Sequence, residues 1–282
     1  MPHLPTVAIV GAGSSGITAA KALHERGIAF DCFEASDRIG GNWVFANKNG
    51  MSAAYRDLHI NTSRDLMAFS DFPMPRSCPD FPHHTDIAAY FEAYVDHFGF
   101  RDQIRFETAI RRAQMRADGT WQLSDEAGVR RAYDMLLVAN GHHWDARWPD
   151  PPFPGAETFQ GRQLHAHEYR DNRFLEDRDV VVLGMGNSAM DIAVESSHVA
   201  RATHLAARRG AWIVPKYRSG GRRTSSSRGV TSLSPSARRP WSCCCACTRA
   251  RPSALACSAP TTRSAPRIRR SPSASSIASP TA

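Results

Sequence analysis

Val7-Ala8-Ile9-Val10-Gly11-Ala12-Gly13-Ser14-Ser15-Gly16 is the stretch that decides the fold of this chain. A short, unbroken apolar run such as Val7 to Val10 suits a strand buried in a parallel sheet. It leads straight into a Gly-x-Gly-x-x-Gly turn. Ile17 to Arg26 are then helix formers, with Ile17, Ala20 and Leu23 on one face and Gly27 as a stop. A second strand, Ala29 to Phe33, ends on Glu34. In this setting Gly11 permits the tight turn, Gly13 lets the backbone approach a pyrophosphate, and Gly16 lets helix and strand pack closely. The helix N-terminus at Ser14 and Ser15 faces the phosphates. Glu34, 23 residues after Gly11, is placed to accept hydrogen bonds from an adenosine ribose. A lone glycine turn is weak evidence. Strand, turn, helix, strand and terminal acid together favour a bound dinucleotide over a purely structural turn.

The pattern occurs twice. Val180-Val181-Val182-Leu183 precedes Gly184-Met185-Gly186-Asn187-Ser188-Ala189, a helix-like stretch runs on to Val199, and a strand from Thr203 to Ala207 ends in Arg208-Arg209. Gly184 and Arg208 are 24 residues apart, so the arginines stand where the first unit has Glu34. A carboxylate there would repel a 2′-phosphate, whereas a guanidinium binds it with charge-assisted hydrogen bonds. The first site therefore suits the unphosphorylated ribose of FAD and the second suits NADPH. The alternative for Arg208 and Arg209 is solvated surface charge.

Past Glu34 comes Asp37-Arg38-Ile39-Gly40-Gly41-Asn42-Trp43. Its adjacent glycines resemble the second flavin contact of FAD-dependent oxidoreductases, which makes Arg38, Gly40, Gly41 and Trp43 candidate cofactor contacts. Asp86 reads as the N-cap of a helix from Ile87 to Phe98 with Gly99 as its stop. Strands are expected at Ile104–Ala113, Thr120–Ser124 and Val129–Tyr133, the first two joined at the hairpin pair Asp118-Gly119, before Met135–Ala139 returns as a buried strand. The fold class is α/β, with two Rossmann-like dinucleotide-binding domains.

Between the two units, Phe159, Gly161, His165 and Tyr169 stand in register with the FxGxxxHxxx(Y/F) signature of flavin-containing monooxygenases. The chain resembles that family over about residues 5 to 220. Asn61-Thr62-Ser63 and Asp71-Phe72-Pro73 are similar to its flavin-pocket segments, and Leu137 to Gly141 to its strand-end ATG-like motif, with Asn140 where Thr is more usual. The resemblance implies that NADPH reduces FAD and that oxygen adds to give a flavin C4a-hydroperoxide, which oxygenates a soft nitrogen or sulfur nucleophile. It also implies that Asn61 helps stabilise that species. Without the resemblance Asn61 reads as a turn residue.

His165 reads as a structural residue fixing the linker. Baeyer–Villiger enzymes of the family carry Trp, then Pro or Asp, where this chain has Tyr169-Arg170, so heteroatom oxygenation is favoured over ketone oxidation. A disulfide reductase would need a redox cysteine pair, and Cys32 and Cys78 form no CxxC. His83-His84 and His142-His143 have no partners at metal-ligand spacing and read as loop residues.

The net charge of +8 is unevenly distributed. Residues 221–282 hold 11 arginines and no Lys, Asp or Glu, while residues 1–220 hold all 27 acidic residues against 24 basic ones. The excess charge therefore belongs to the tail, whose arginines lack the aromatic interleaving of a nucleic-acid site. No stretch approaches the roughly 18 apolar residues of a membrane helix. With no export signal ahead of Val7, a cytoplasmic protein is expected, acting on a small molecule and O2 and binding neither nucleic acid nor membrane.

Residues 1–170 are expected to form the first part of an FAD domain, 171–220 the start of an NADPH domain, and 221–282 a disordered basic tail. The tail also matches GC-rich coding sequence translated out of frame. Back-translation from Ser258 with suitable synonymous codons and a shift of two bases gives a sequence close to RADHPLGAAHPTISERLLDRIAHG, an amphipathic segment similar to what the family carries after its NADPH unit. On that reading the FAD domain is incomplete, bare apolar surface and an unpaired strand edge remain, poor solubility, weak FAD retention and little or no turnover are expected, and a catalytically impaired remnant stays open as the alternative.

Overall fold

A computed structural model describes residues 4–213, 216–218 and 221–222. Its centre is a parallel sheet built from β1 (Val7–Val10), β2 (Phe30–Phe33), β3 (Ile104–Arg105) and β7 (Met135–Val138), in the order β3-β2-β1-β7. Val7 pairs with Phe30 on one side and Met135 on the other, which places β1 in the middle. Side chains alternate across a strand, so β1 feeds two cores. Val7 and Ile9 join Ile17 and Ala20 of α1 (Ser14–His24) and Ile87, Phe91 and Tyr94 of α3 (His84–Phe98). Ala8, together with Phe33 of β2, meets Leu123 and Tyr133 on the other face. Those two belong to the antiparallel meander β4 (Ile110–Met115), β5 (Trp121–Asp125) and β6 (Arg130–Tyr133), whose first hairpin turns at Asp118-Gly119. Truncating a ring as enclosed as Phe91 costs roughly 3–5 kcal/mol.

A short helix, α2 (Arg64–Met67), precedes the Phe69–Phe72 turn, whose rings pack on Tyr90 and Tyr94. Lys21 binds that turn to α1, pairing with Asp71 at 2.6 Å and lying 4.7 Å from the centre of the Phe98 ring.

The second unit is a parallel pair, β8 (Asp179–Leu183) and β9 (Ala202–Ala206), crossed by α4 (Asn187–Ser197). Among the described residues β9 pairs only with β8, and β7 only with β1. Their apolar side chains stand bare, with Val138 of β7 68% and Leu205 of β9 37% exposed. None of the described helices is long and apolar enough to cross a membrane.

Three expectations are corrected. The third helix begins at His84, not Ile87, because His83 is its N-cap: the His83 ring accepts from the Thr85 amide, while Asp86, at the third helical position, accepts from the His83 amide. His83 and His84 are therefore not loop residues. The expected strand Ile104–Ala113 divides between two sheets, because Glu107 takes φ +50 and turns the chain out of the parallel sheet. Gly221 and Arg222, assigned to the tail, form β11, paired antiparallel with β10 (Tyr217–Arg218). The rest of the tail, residues 223–282, lies outside the described residues.

Candidate functional site

Two helices start on a glycine with no capping side chain. Gly13 precedes α1 and Gly186 precedes α4, and neither start has a side-chain cap, whereas α3 carries a full capping box. The first amides of a helix have no intrahelical acceptor, and the helix dipole adds about half a positive charge there. Left uncapped, they can hold the oxygens of a phosphate. Ser14 and Ser15 lie exposed in the first turn of α1, Asn187 and Ser188 in that of α4.

The first turn is part of a cradle made by three segments. Gly11 has φ +101, and a Cβ on it would stand 2.5 Å from the Ala139 carbonyl oxygen, at the end of β7. A Cβ on Gly16 would lie 1.8 Å from the Gly11 carbonyl oxygen, so helix and strand touch through backbone alone. The Gly40 amide donates to the Ala12 carbonyl at 3.2 Å, and a Cβ on Gly41 would stand 3.3 Å from the Gly13 Cα. The Gly40-Gly41 pair expected to contact a flavin thus lies directly against the first turn. Trp43, in a 3-10 turn from Gly41, is half-buried and packs on the core. Arg38 is exposed and forms an ion pair with Asp37 at 3.2 Å.

Glu34 is 93% removed from solvent, its carboxylate held by two backbone donors. The Ala12 amide donates to Oε2 at 2.7 Å and the Ser36 amide to Oε1 at 2.8 Å. Each oxygen keeps a further lone pair for a hydroxyl. Cys32, in β2, is fully buried, and desolvation, helped by the charge of Glu34, pushes its thiol up to about 12. That is an inert thiol, unlike a redox cysteine.

Asn61 is exposed, in a bend held from both sides. The Ile60 amide donates to the Pro82 carbonyl at 3.0 Å, the Arg64 amide to Asp80 at 2.8 Å, and His59 bridges to His83. The segment is therefore anchored to the entrance of α3. There the buried His84 ring has its Nε2 3.2 Å from the Arg56 carbonyl. Desolvation, and then its neighbour His83, lower its pKa.

In the second unit Gly184 has φ +121, and its amide donates to the Ala206 carbonyl at 2.8 Å. Arg208 and Arg209 follow β9 and are exposed. With Gly184, Met185 and Ala207 they line a cleft of about 360 Å³ in front of α4. Another cleft, about 380 Å³, lies at the opposite end of the first sheet beside His24 and Gln103, away from both glycine turns. No group of three potential metal ligands occurs among the described residues.

His165 caps a 3-10 turn, its Nδ1 accepting from the His167 amide at 3.0 Å and its own amide donating to Glu168 at 3.0 Å. Sequence reasoning did not single out Tyr55, Asp191 or Glu195. The Tyr55 hydroxyl donates to Asp191 at 2.5 Å and the Tyr169 hydroxyl to Glu195. The four-residue spacing of the two acids on one helix was the available signal.

The family described as Flavin-binding monooxygenase-like matches residues 5–225. Flavin-containing monooxygenase 5 of Oryctolagus cuniculus is 39% identical over 217 residues, covering 74% of this chain and 41% of that protein. Dimethylaniline monooxygenase (N-oxide-forming) 2 of the same organism is 34% identical over 219 residues, with the same coverage. The chain thus spans about two-fifths of the length of these curated relatives. Among solved structures, S-allyl-L-cysteine S-oxygenase from Allium sativum is 28% identical with a TM-score of 0.67, covering 78% of this chain and 54% of that one. An open cyclohexanone monooxygenase shares the fold at a TM-score of 0.62 and 24% identity, covering 76% of this chain and 41% of that one.

Proposed function

The chain belongs to the Flavin-binding monooxygenase-like family, and from that premise we propose that it holds FAD on its first glycine turn and NADPH on its second, to oxygenate a soft nitrogen or sulfur nucleophile. The observation that carries this reading is the pair of uncapped, glycine-started helices, one ending its unit in Glu34 and the other in Arg208-Arg209. Residues 1–170 would form the first part of the FAD domain and 171–220 the start of the NADPH domain.

FAD, when bound, would supply the redox and oxygen chemistry. The chain's own groups bind and orient. The amides at the start of α1, with the backbone of Gly13, Gly40 and Gly41, would receive the pyrophosphate. Glu34 would accept from the adenosine ribose with its spare lone pairs. Ser14, Ser15, Arg38 and Trp43 would add contacts to the same cofactor. At the second turn the amides at Gly186, Asn187 and Ser188 would hold the NADPH pyrophosphate, and Arg208 and Arg209 its 2′-phosphate. Asn61, on its anchored bend, would offer a side-chain amide to the reacting centre.

Tyr169-Arg170 at the end of the signature supports heteroatom over ketone oxygenation, and so does the similarity to an S-oxygenase and an N-oxide-forming enzyme. Purification of the full chain tests the proposal. Uptake of added FAD, followed by NADPH-dependent oxygen uptake, would support it; a colourless protein that does not take up added FAD would overturn it. A second reading, nucleotide binding without turnover, is favoured by the bare apolar edge at Val138 and is distinguished by flavin content without oxygen uptake.

A further inference from the structure

The segment after the flavin-side glycine pair meets the helix of the second unit at one joint, made by two buried tyrosines. Tyr55 is 4% and Tyr169 1% exposed, and their rings meet edge-on with centroids 5.8 Å apart. Each hydroxyl donates to a carboxylate of α4, Tyr55 to Asp191 at 2.5 Å and Tyr169 to Glu195. Residues four apart lie on one face of a helix, so the two acids present a matched pair of acceptors one turn apart. Asn172 adds a bond to the Glu195 carbonyl at 3.0 Å.

The segments that carry the tyrosines are themselves tied together. The Arg56 amide donates to the Arg170 carbonyl at 2.8 Å, the Arg56 guanidinium pairs with Asp171 at 3.2 Å, and the His167 Nε2 lies 3.2 Å from the Met51 carbonyl. Burial raises the pKa of both tyrosines and of Glu195. Without its partner the half-buried Glu195 carboxylate would bear its desolvation uncompensated, and so would the hydroxyl of the buried Tyr55, whose acceptor Asp191 is exposed, so neither pair slides without cost.

We propose that Tyr55 and Tyr169 are positioning residues that fix α4, and with it the second phosphate-binding turn, against the flavin-side cradle. The proposal rests on the reading of the two turns as FAD and NADPH sites. Neither hydroxyl belongs to a glycine turn, so each nucleotide keeps its own contacts without them. What they control is the approach of nicotinamide to flavin, where a displacement of about 1 Å can cost a hundredfold in rate.

The test compares the full chain with Y55F, Y169F and the double variant, which keep both rings and lose only the hydroxyls. Without nucleotide, amide exchange over Asn187–Ser197 is expected to rise about tenfold in the double variant, with Ser14–His24 unchanged. In FAD-loaded protein, NADP+ affinity is expected to stay within about twofold, while the NADP+-induced change in the flavin absorption band is lost and reduction by NADPH slows about tenfold or more. Unchanged exchange in α4 overturns the joint. Faster exchange with an intact spectral change and reduction rate overturns the positioning role. A parent chain that takes up no flavin overturns the cofactor reading instead, and the exchange measurement, repeated with D191N and E195Q, still decides the joint.

Discussion

The Glu34 carboxylate accepts a hydrogen bond from the Ala12 amide at 2.7 Å, so the acid that ends β2 also holds the first glycine turn in shape. Its other oxygen holds the Ser36 amide at 2.8 Å. E34Q would turn an NH2 group toward one of these two donors. We expect it to lower stability by about 1–3 kcal/mol and to weaken FAD binding in parallel. Thermal unfolding and FAD titration check this; a variant with parent-like melting and affinity would show that the buried carboxylate is not needed.

Alanine substitutions should separate folding from binding at the same turn. In G16A the new Cβ would lie 1.8 Å from the Gly11 carbonyl oxygen, a clash only backbone movement can relieve. In G13A the nearest atom is the Gly41 Cα at 3.8 Å, an ordinary contact. G16A is therefore expected to melt several degrees lower, whereas G13A should melt like the parent but bind FAD about tenfold or more weakly, because its methyl would stand where the proposed site receives the pyrophosphate. Equal melting of the two variants would refute this division.

Arg208 and Arg209 should set the choice between the two nicotinamide cofactors. Replacing both with Gln is expected to weaken NADPH binding by about tenfold or more and to leave NADH within about twofold, since only the 2′-phosphate contacts are lost. Quenching of intrinsic fluorescence by each nucleotide measures it. A parallel loss for both would assign the arginines to general surface charge.

Asp171 gives a pH dependence with a defined sign. Hydrogen bonding from Arg173 at 2.7 Å, with Arg56 as a second partner, pulls its carboxyl down to about 2. A depressed folded value means stabilisation that is complete above the ordinary carboxylate value of about 4 and lost as pH falls toward 2. D171N should therefore melt below the parent at pH 7, with the gap closing toward pH 2. A gap unchanged at low pH would exclude ionic stabilisation. Glu195 works in the opposite sense: burial raises its carboxyl, so its contribution weakens as pH rises through the folded value.

Both glycine turns, the meander and the parallel strands were legible because each rests on a local rule, such as a positive φ, a two-residue hairpin or an unbroken apolar run. The start of helix α3 is not legible because a histidine does the capping while Asp86, a residue usual at caps, serves three positions later as the reciprocal acceptor. The break at Glu107 had no glycine or proline to announce it. Glu34 reads in the sequence as an acid placed for a ligand, but its hold on Ala12 and Ser36 depends on how the turn folds back. The tyrosine joint left little trace, because its partners are far apart in the chain and each looks like an ordinary core or helix residue alone.

That separation bears on how the protein is made. Asp191 leaves the ribosome 136 residues after Tyr55, and the last strand of the first sheet ends at Val138, well before α4 begins at Asn187. The central sheet can therefore form while the second unit is still being synthesised, and the joint closes late, as one folded body docks on another. Until then Tyr55 has no carboxylate to meet, and the nascent chain presents an aromatic surface that a slow or stalled translation would keep open to chaperones.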